Sequence, residues 1–130
     1  QAKEERTHAM MMVRYLIDVG APPTIPGIEA PRTRFKSFVE PIELALRQEQ
    51  EVGKQISELV GIARKEKDYL SEQFVQWFLK EQIEEVAIMS SVLDVARRAG
   101  DQPLLLEDFL ARETVRPSDG DPTAPDAAGE

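Results

Sequence analysis

The sequence predicts an all-α fold, a bundle of long helices, and three observations carry that expectation. Apolar residues recur at helical spacing through three long segments. A very short turn separates the second segment from the third, so these two must be antiparallel neighbours. The first and second are joined by a stiff, proline-rich connection about as long as a helix. The chain has 130 residues, 42% of them hydrophobic, which suits one domain with an ordinary core.

The first helix is expected from Gln1 to about Val19, with Met12, Leu16 and Val19 in register, and Gly20, Pro22 and Pro23 stop it. Gly20 to about Ser37 is read as the connection, held extended by Pro22, Pro23, Pro26 and Pro31, with Gly27 for a turn. At ~3.1 Å per residue it reaches roughly 45 Å, the length of a helix of about thirty residues at ~1.5 Å rise. That implies a crossover along the bundle, with the flanking helices pointing the same way. The second helix is expected over about Phe38 to Lys67. Its stripe is Ile42, Leu46, Val52, Ile56, Leu59 and Ala63, and Pro41 is tolerated in the first turn. Asp68 is the expected cap of the third helix, which runs to Ala99. The third stripe is Phe74, Phe78, Met89, Val92 and Ala96, widened by Trp77, Ile88 and Leu93, and Gly100 ends it. A short helix follows from Asp101 and Pro103 to about Arg112, with Leu104, Leu105, Phe109 and Leu110 as its apolar positions. Residues 1–113 thus read as one helical domain. The remainder, 114–130, is rich in Pro, Asp, Gly, Ala and Thr and reads as a disordered acidic tail.

The net charge of −8 argues against a nucleic-acid partner, because phosphate recognition needs a basic surface. With no cysteine, disulfides, thiolate zinc sites and cysteine nucleophiles are excluded, and a reducing cytoplasm is the expected location. No apolar run is long enough to span a membrane, and no leader pattern is read at the start. The helical pattern is already under way at Gln1, without a cap in front, so the chain is read as a fragment of a longer protein.

The chemistry is read from what interrupts the stripes. Glu5 and His8 fall in line with Met12 and Leu16. Glu49 falls between Leu46 and Val52. Glu81 and Glu85 fall between Phe78 and Met89, with Gln82 and Glu84 at the edges. A buried carboxylate is costly unless paired or metal-bound. Positions i and i+3 share a helix face, so Glu5 and His8 can reach one ion, while Glu49 and Gln82 arrive from two other helices. A set rich in oxygen with one imidazole favours iron or manganese over structural zinc. Each feature also has a plainer reading. Glu5 and His8 suit a solvated helix, Glu49 suits an Arg partner from elsewhere, and Glu81, Glu84 and Glu85 suit a solvated face. Three long helices carrying the same anomaly is what favours the metal.

At these residues the sequence resembles the bacterial non-haem ferritins. Glu4-Glu5-Arg6-Thr7-His8-Ala9-Met10 resembles their second-helix motif, with the Glu-x-x-His pairing of ferritin-like di-iron bundles. Leu46 to Leu59, around Gln48-Glu49-Gln50, resembles their third helix. Phe74 through Glu85 resembles their fourth, and is the most specific match. The resemblance implies a ferritin-like four-helix bundle with three of its four helices present, a long crossover and a short C-terminal fifth helix. It implies that Glu5 bridges two irons, that His8 binds the first, and that Glu49 and Gln82 complete the second. Glu4, Glu81, Glu84 and Glu85 would form an accessory iron site. The implied activity is oxidation of Fe(II) by O2 or peroxide, a ferroxidase, followed by storage of ferric mineral in a homo-oligomeric shell of twenty-four subunits.

Two departures argue against haem. The haem-binding relatives carry a Met after the bridging Glu, where this chain has Arg6. They also carry a second His three residues after the fourth-helix metal Glu, where the matching positions are Gln82 and Glu85. The family's first helix supplies a further iron-binding Glu, which is expected ahead of Gln1. The activity of this chain by itself is therefore left open. Two alternatives are retained: another di-metal carboxylate protein of the same architecture, and a non-catalytic helical shell or interaction subunit.

Overall fold

The computed structural model of the chain describes residues 2–114 and 121–129. Among the described residues are four helices and no strand: α1 (Ala2–Asp18), α2 (Val39–Glu66), α3 (Tyr69–Ala99) and α4 (Pro103–Thr114). Every boundary lies within two residues of the position read from the sequence. Among the described residues no helix is long and apolar enough to cross a membrane. The chain divides into two compact units, one of Gln1–Arg32 with Asp121–Glu130, the other of Thr33–Gly120.

In the first unit α1 ends where the sequence stops it. Gly20 adopts φ +75°, a conformation that costs an L side chain strain. The Gly20 and Ala21 amides donate back to the Ile17 and Leu16 carbonyls at 3.0 and 2.8 Å, closing the last turn. Met11 is the buried residue of α1, Met12 and Leu16 are half-buried, and Val19 is exposed. The buried side of α1 is therefore turned by about one residue from the expected stripe. Of the expected tail, residues 115–120 and 130 lie outside the described residues. Within 121–129, the Asp121 carboxylate accepts from the Thr123 amide at 2.8 Å and its hydroxyl at 2.6 Å. The Ala128 amide donates to the Met10 carbonyl of α1 at 3.1 Å.

In the second unit α2 and α3 form an antiparallel hairpin. The side-chain pairs Arg64–Glu72, Glu49–Gln82 and Glu43–Arg97 descend α2 as they ascend α3. The turn between them is built from two residues. Lys67 takes the left-handed conformation (φ 59°), its amide bonding to the Arg64 carbonyl at 3.2 Å and that of Asp68 to Ala63 at 2.9 Å. These bonds satisfy carbonyls that the end of α2 would leave unpaired. Asp68 then caps α3, accepting from the Ser71 amide at 3.1 Å and the Ser71 hydroxyl at 2.6 Å.

These bonds to Ser71 hold the Asp68 carboxyl below its ordinary value of 3.8. A carboxyl whose pKa is depressed on folding contributes stability that is present above the unfolded value and fades as pH falls through the folded one. Asp68→Ala is therefore expected to lower the melting temperature at pH 7, by a deficit that starts to shrink as the pH falls below about 3.8 and is smallest below the folded value. Thermal melts of both proteins across that range check this.

The core of the second unit lies where α2, α3 and α4 converge. Val92, Ala96 and Leu106 form its buried centre, flanked by Phe38, Val39, Ile42, Met89, Val95 and Phe109. Two expected stripes are corrected. On α2 the buried residues are Ile56, Val60 and Ala63, while Val52 and Leu59 are exposed. The face against α3 is narrower than the apolar arc, and Val60 lies nearer its centre. On α4, Leu106 is buried and Phe109 half-buried, three residues apart on one face, whereas Leu104, Leu105 and Leu110 are exposed. Ile88 of α3 is likewise exposed, and Val75 and Leu93 are buried.

Candidate metal centre

Midway along the α2–α3 hairpin the apolar packing is interrupted by one amide. Gln82 follows Val75 and Phe78 on the buried row of α3 and is only 8% exposed, the one buried polar side chain among the described residues. Opposite it on α2, Glu49 continues the row that runs through Gly53, Ile56, Val60 and Ala63. Gln82 Nε2 donates to the Glu49 carboxylate Oε2 at 2.8 Å and to the Glu49 backbone carbonyl at 2.9 Å. Both amide hydrogens are thus directed to one residue, which leaves the Gln82 oxygen as the atom it can offer a cation. A charge-assisted bond of this kind also fixes the orientation of the half-buried carboxylate.

Gly53 makes this geometry accessible, and sequence reasoning missed it. A Cβ built on Gly53 would stand 3.0 Å from Gln82 Cγ, so the glycine opens the channel through which Gln82 reaches α2. The available signal was a helix-interior glycine four residues after Glu49, on the same face.

The other acidic residues of α3 divide by exposure. Glu85 and Glu81 are half-buried and Glu84 is exposed. Glu85 continues the Phe78–Gln82 row, and Glu84 faces solvent as the plainer reading expected. In the first unit, Glu5 and His8 lie one turn apart on α1, with His8 Nδ1 3.9 Å from Glu5 Oε2. The His8 side chain is 20% exposed and that of Glu5 50%, and Glu4 is exposed beside them. The i,i+3 pair therefore faces one way, as its spacing requires.

One step of the sequence argument is corrected by these environments. The carboxylates were expected inside core-facing stripes, where burial alone would call for a cation. Of those placed on the stripes, Glu5 is exposed and Glu49, Glu81 and Glu85 are half-buried, while Gln82, read at an edge of its stripe, is buried. Among the described residues no buried side-chain nitrogen or oxygen lacks a hydrogen-bond partner. The case for a metal rests on the donor set and on the Glu49–Gln82 geometry, not on a desolvation penalty awaiting relief. Oxygen donors with a single imidazole suit hard or borderline cations such as iron and manganese.

Comparison with known proteins gives this arrangement a context. Residues 1–99 match the Ferritin-like domain family. The chain is 51% identical over 129 residues to Ferritin BfrB of Mycolicibacterium smegmatis, spanning 99% of this chain and 71% of that protein. It is 42% identical over 101 residues to the bacterial non-heme ferritin of Staphylococcus haemolyticus, spanning 78% of this chain and 61% of that one. Among solved structures it is similar to an open pore ferritin from the archaeon Archaeoglobus fulgidus, with TM-score 0.82 and 30% identity over 88% of this chain and 71% of the other. It is also similar to the Chlorobium tepidum ferritin, with TM-score 0.74 and 34% identity over 92% and 72%.

Proposed function

Since the chain belongs to the ferritin-like domain family, we propose that it serves iron storage, taking Fe(II) as substrate and oxidising it at a di-iron centre before the ferric product is stored. In this reading Glu5 bridges the two irons, His8 binds the first, and Glu49 and Gln82 hold the second. Glu4, Glu81, Glu84 and Glu85 form an accessory site through which iron passes. The protein acts as a homo-oligomeric shell of twenty-four copies in the cytoplasm, without haem.

The observation that supports this most strongly is the Glu49–Gln82 pair. A carboxylate oriented by an amide across two packed helices places one anionic and one neutral oxygen donor together. Carboxylates are hard anions and stabilise Fe(III) over Fe(II), which favours oxidation at the site. Two Fe(II) ions each give one electron; O2 takes both, with two protons, and leaves as hydrogen peroxide. The neutral Gln82 binds the ferric product more weakly than a carboxylate would, which lets it move on.

The test is aerobic Fe(II) oxidation, followed by ferric absorbance near the ultraviolet edge, on the chain alone and on a version carrying a ferritin first helix ahead of Gln1. Oxidation well above the buffer rate is expected from the completed version. A rate equal to buffer in both forms would reduce the function to a non-catalytic shell subunit. Gln82→Glu gives a sharper expectation. Without metal, two carboxylates would face each other in place of the 2.8 Å hydrogen bond, and like charges at that range destabilise the fold at pH 7. Divalent metal should restore the melting temperature, while multiple turnover slows because ferric iron is retained. Unchanged turnover in that variant would sink the release role of Gln82.

A further inference from the structure

We propose that Gly53 is a positioning residue for the metal site, letting the Gln82 side chain lie close against α2 so that its amide reaches Glu49. The inference rests on the ferroxidase reading for its functional consequence, but its structural half stands without it.

Two glycines interrupt the interior of α2, and both weaken a helix relative to alanine. Their surroundings differ. A Cβ on Gly61 would meet nothing within 4 Å. A Cβ on Gly53 would meet Gln82 Cγ at 3.0 Å and Gln82 Cβ at 4.0 Å. Among the glycines whose surroundings are described, Gly53 alone has a side chain within 4 Å of where a Cβ would stand. The contact is with the middle of the Gln82 side chain, not its flexible end, so the shift of a few tenths of an ångström that relieves it is passed on to the amide. Gln82 is also fixed at its far end, where Nε2 bonds two oxygens of Glu49, one turn before Gly53 on the same face. The side chain is thus held at both ends across a gap that an added Cβ would crowd. A methyl group at position 53 would press Gln82 away from α2 by a few tenths of an ångström, lengthening the 2.8 Å bond and loosening its hold on the Glu49 carboxylate.

The test compares Gly53→Ala, Gly61→Ala, Gln82→Ala, Glu49→Ala and the Gly53→Ala/Gln82→Ala double variant in the full chain, with two readouts. The first is metal-free: the side-chain amide resonance of Gln82, assigned by its loss in Gln82→Ala, and its hydrogen-exchange rate. Gly53→Ala should shift this resonance and speed its exchange, and Gly61→Ala should leave both unchanged. An unmoved resonance in Gly53→Ala overturns the proposal. The second is Co(II) affinity, read from the cobalt absorption bands. Gly53→Ala should weaken it about 10-fold, the lower end of what loss of an outer-shell partner costs. In the Gln82→Ala background, where Cγ is gone, the same substitution should change affinity no further and should stabilise the helix as Gly61→Ala does. A further loss in that background would overturn the proposal, as would a normal affinity in Gly53→Ala where Glu49→Ala is impaired. If the amide moves in Gly53→Ala while neither it nor Glu49→Ala alters Co(II) binding, the positioning of Gln82 stands and the metal reading of this pair fails.

Discussion

Glu49→Ala is expected to reduce Fe(II) oxidation by more than about 100-fold, because loss of an outer-shell partner alone costs roughly 10- to 100-fold in metal affinity or activity and Glu49 is proposed as a direct ligand. The same change removes the charged acceptor of the Gln82 amide and leaves it only the Glu49 backbone carbonyl at 2.9 Å. The fold should therefore weaken as well, by about 1 kcal/mol for one lost hydrogen bond. Glu49→Gln separates these effects. The amide oxygen that replaces the carboxylate still accepts from Gln82, so stability should stay close to the parent. The anionic ligand is gone, so oxidation should fall nearly as far as in Glu49→Ala. Oxidation rates beside urea denaturation of the three proteins read this directly. Full oxidation in Glu49→Gln would remove Glu49 from the ligand set and leave it a hydrogen-bond acceptor for Gln82.

Phe78→Ala is expected to be the most destabilising single change, by about 3–5 kcal/mol. Phe78 is 3% exposed. It meets Phe74 edge-on at 5.2 Å between ring centroids and Trp77 at 4.9 Å, contacts that add to its buried area. Against a total stability of roughly 5–15 kcal/mol, the loss is a large fraction. Phe78 also stands one turn before Gln82 on the same row of α3, so a cavity there removes the support of the amide that orients Glu49. Phe78→Leu, which fills most of the volume, should cost about 1.5 kcal/mol or less. A shift of the urea midpoint at constant slope distinguishes lost stability from a changed unfolded state. Equal midpoints for Phe78→Ala and the parent would show that this part of the hairpin does not form the core.

The helix ends were legible because each carries a local signal. Gly20 before Pro22 and Pro23, Asp68 with its cap on Ser71, and Gly100 all act through their own backbone or through residues a few positions away. Which apolar residues face inward was less legible. α2 carries more apolar residues than α3 can cover, so Val52 and Leu59 fit the period as well as Val60, and only the neighbouring helix decides between them. The same holds on α4, where four leucines compete and Leu106 is the one buried. In the site, Glu49 was legible as a polar interruption of an apolar row, Gln82 was read only at the edge of its own, and the structure joins them. Gly53 was not, because its role lies in the space it leaves for a residue twenty-nine positions away. The exposure of Glu5 was equally hidden, since a helical period gives direction but not depth.

Under the proposed function, Glu5, His8, Glu49 and Gln82 together hold the iron that is oxidised. The most direct measurement is an anomalous difference map at the iron edge, from crystals of the chain completed with a ferritin first helix and soaked in Fe(II) without oxygen. About two iron positions per chain are expected, one bonded to Glu5 and His8, the other to Glu5, Glu49 and Gln82. Iron bound only along Glu84 on the exposed face of α3, with Glu49 and Gln82 still hydrogen-bonded to each other and to no metal, would contradict it.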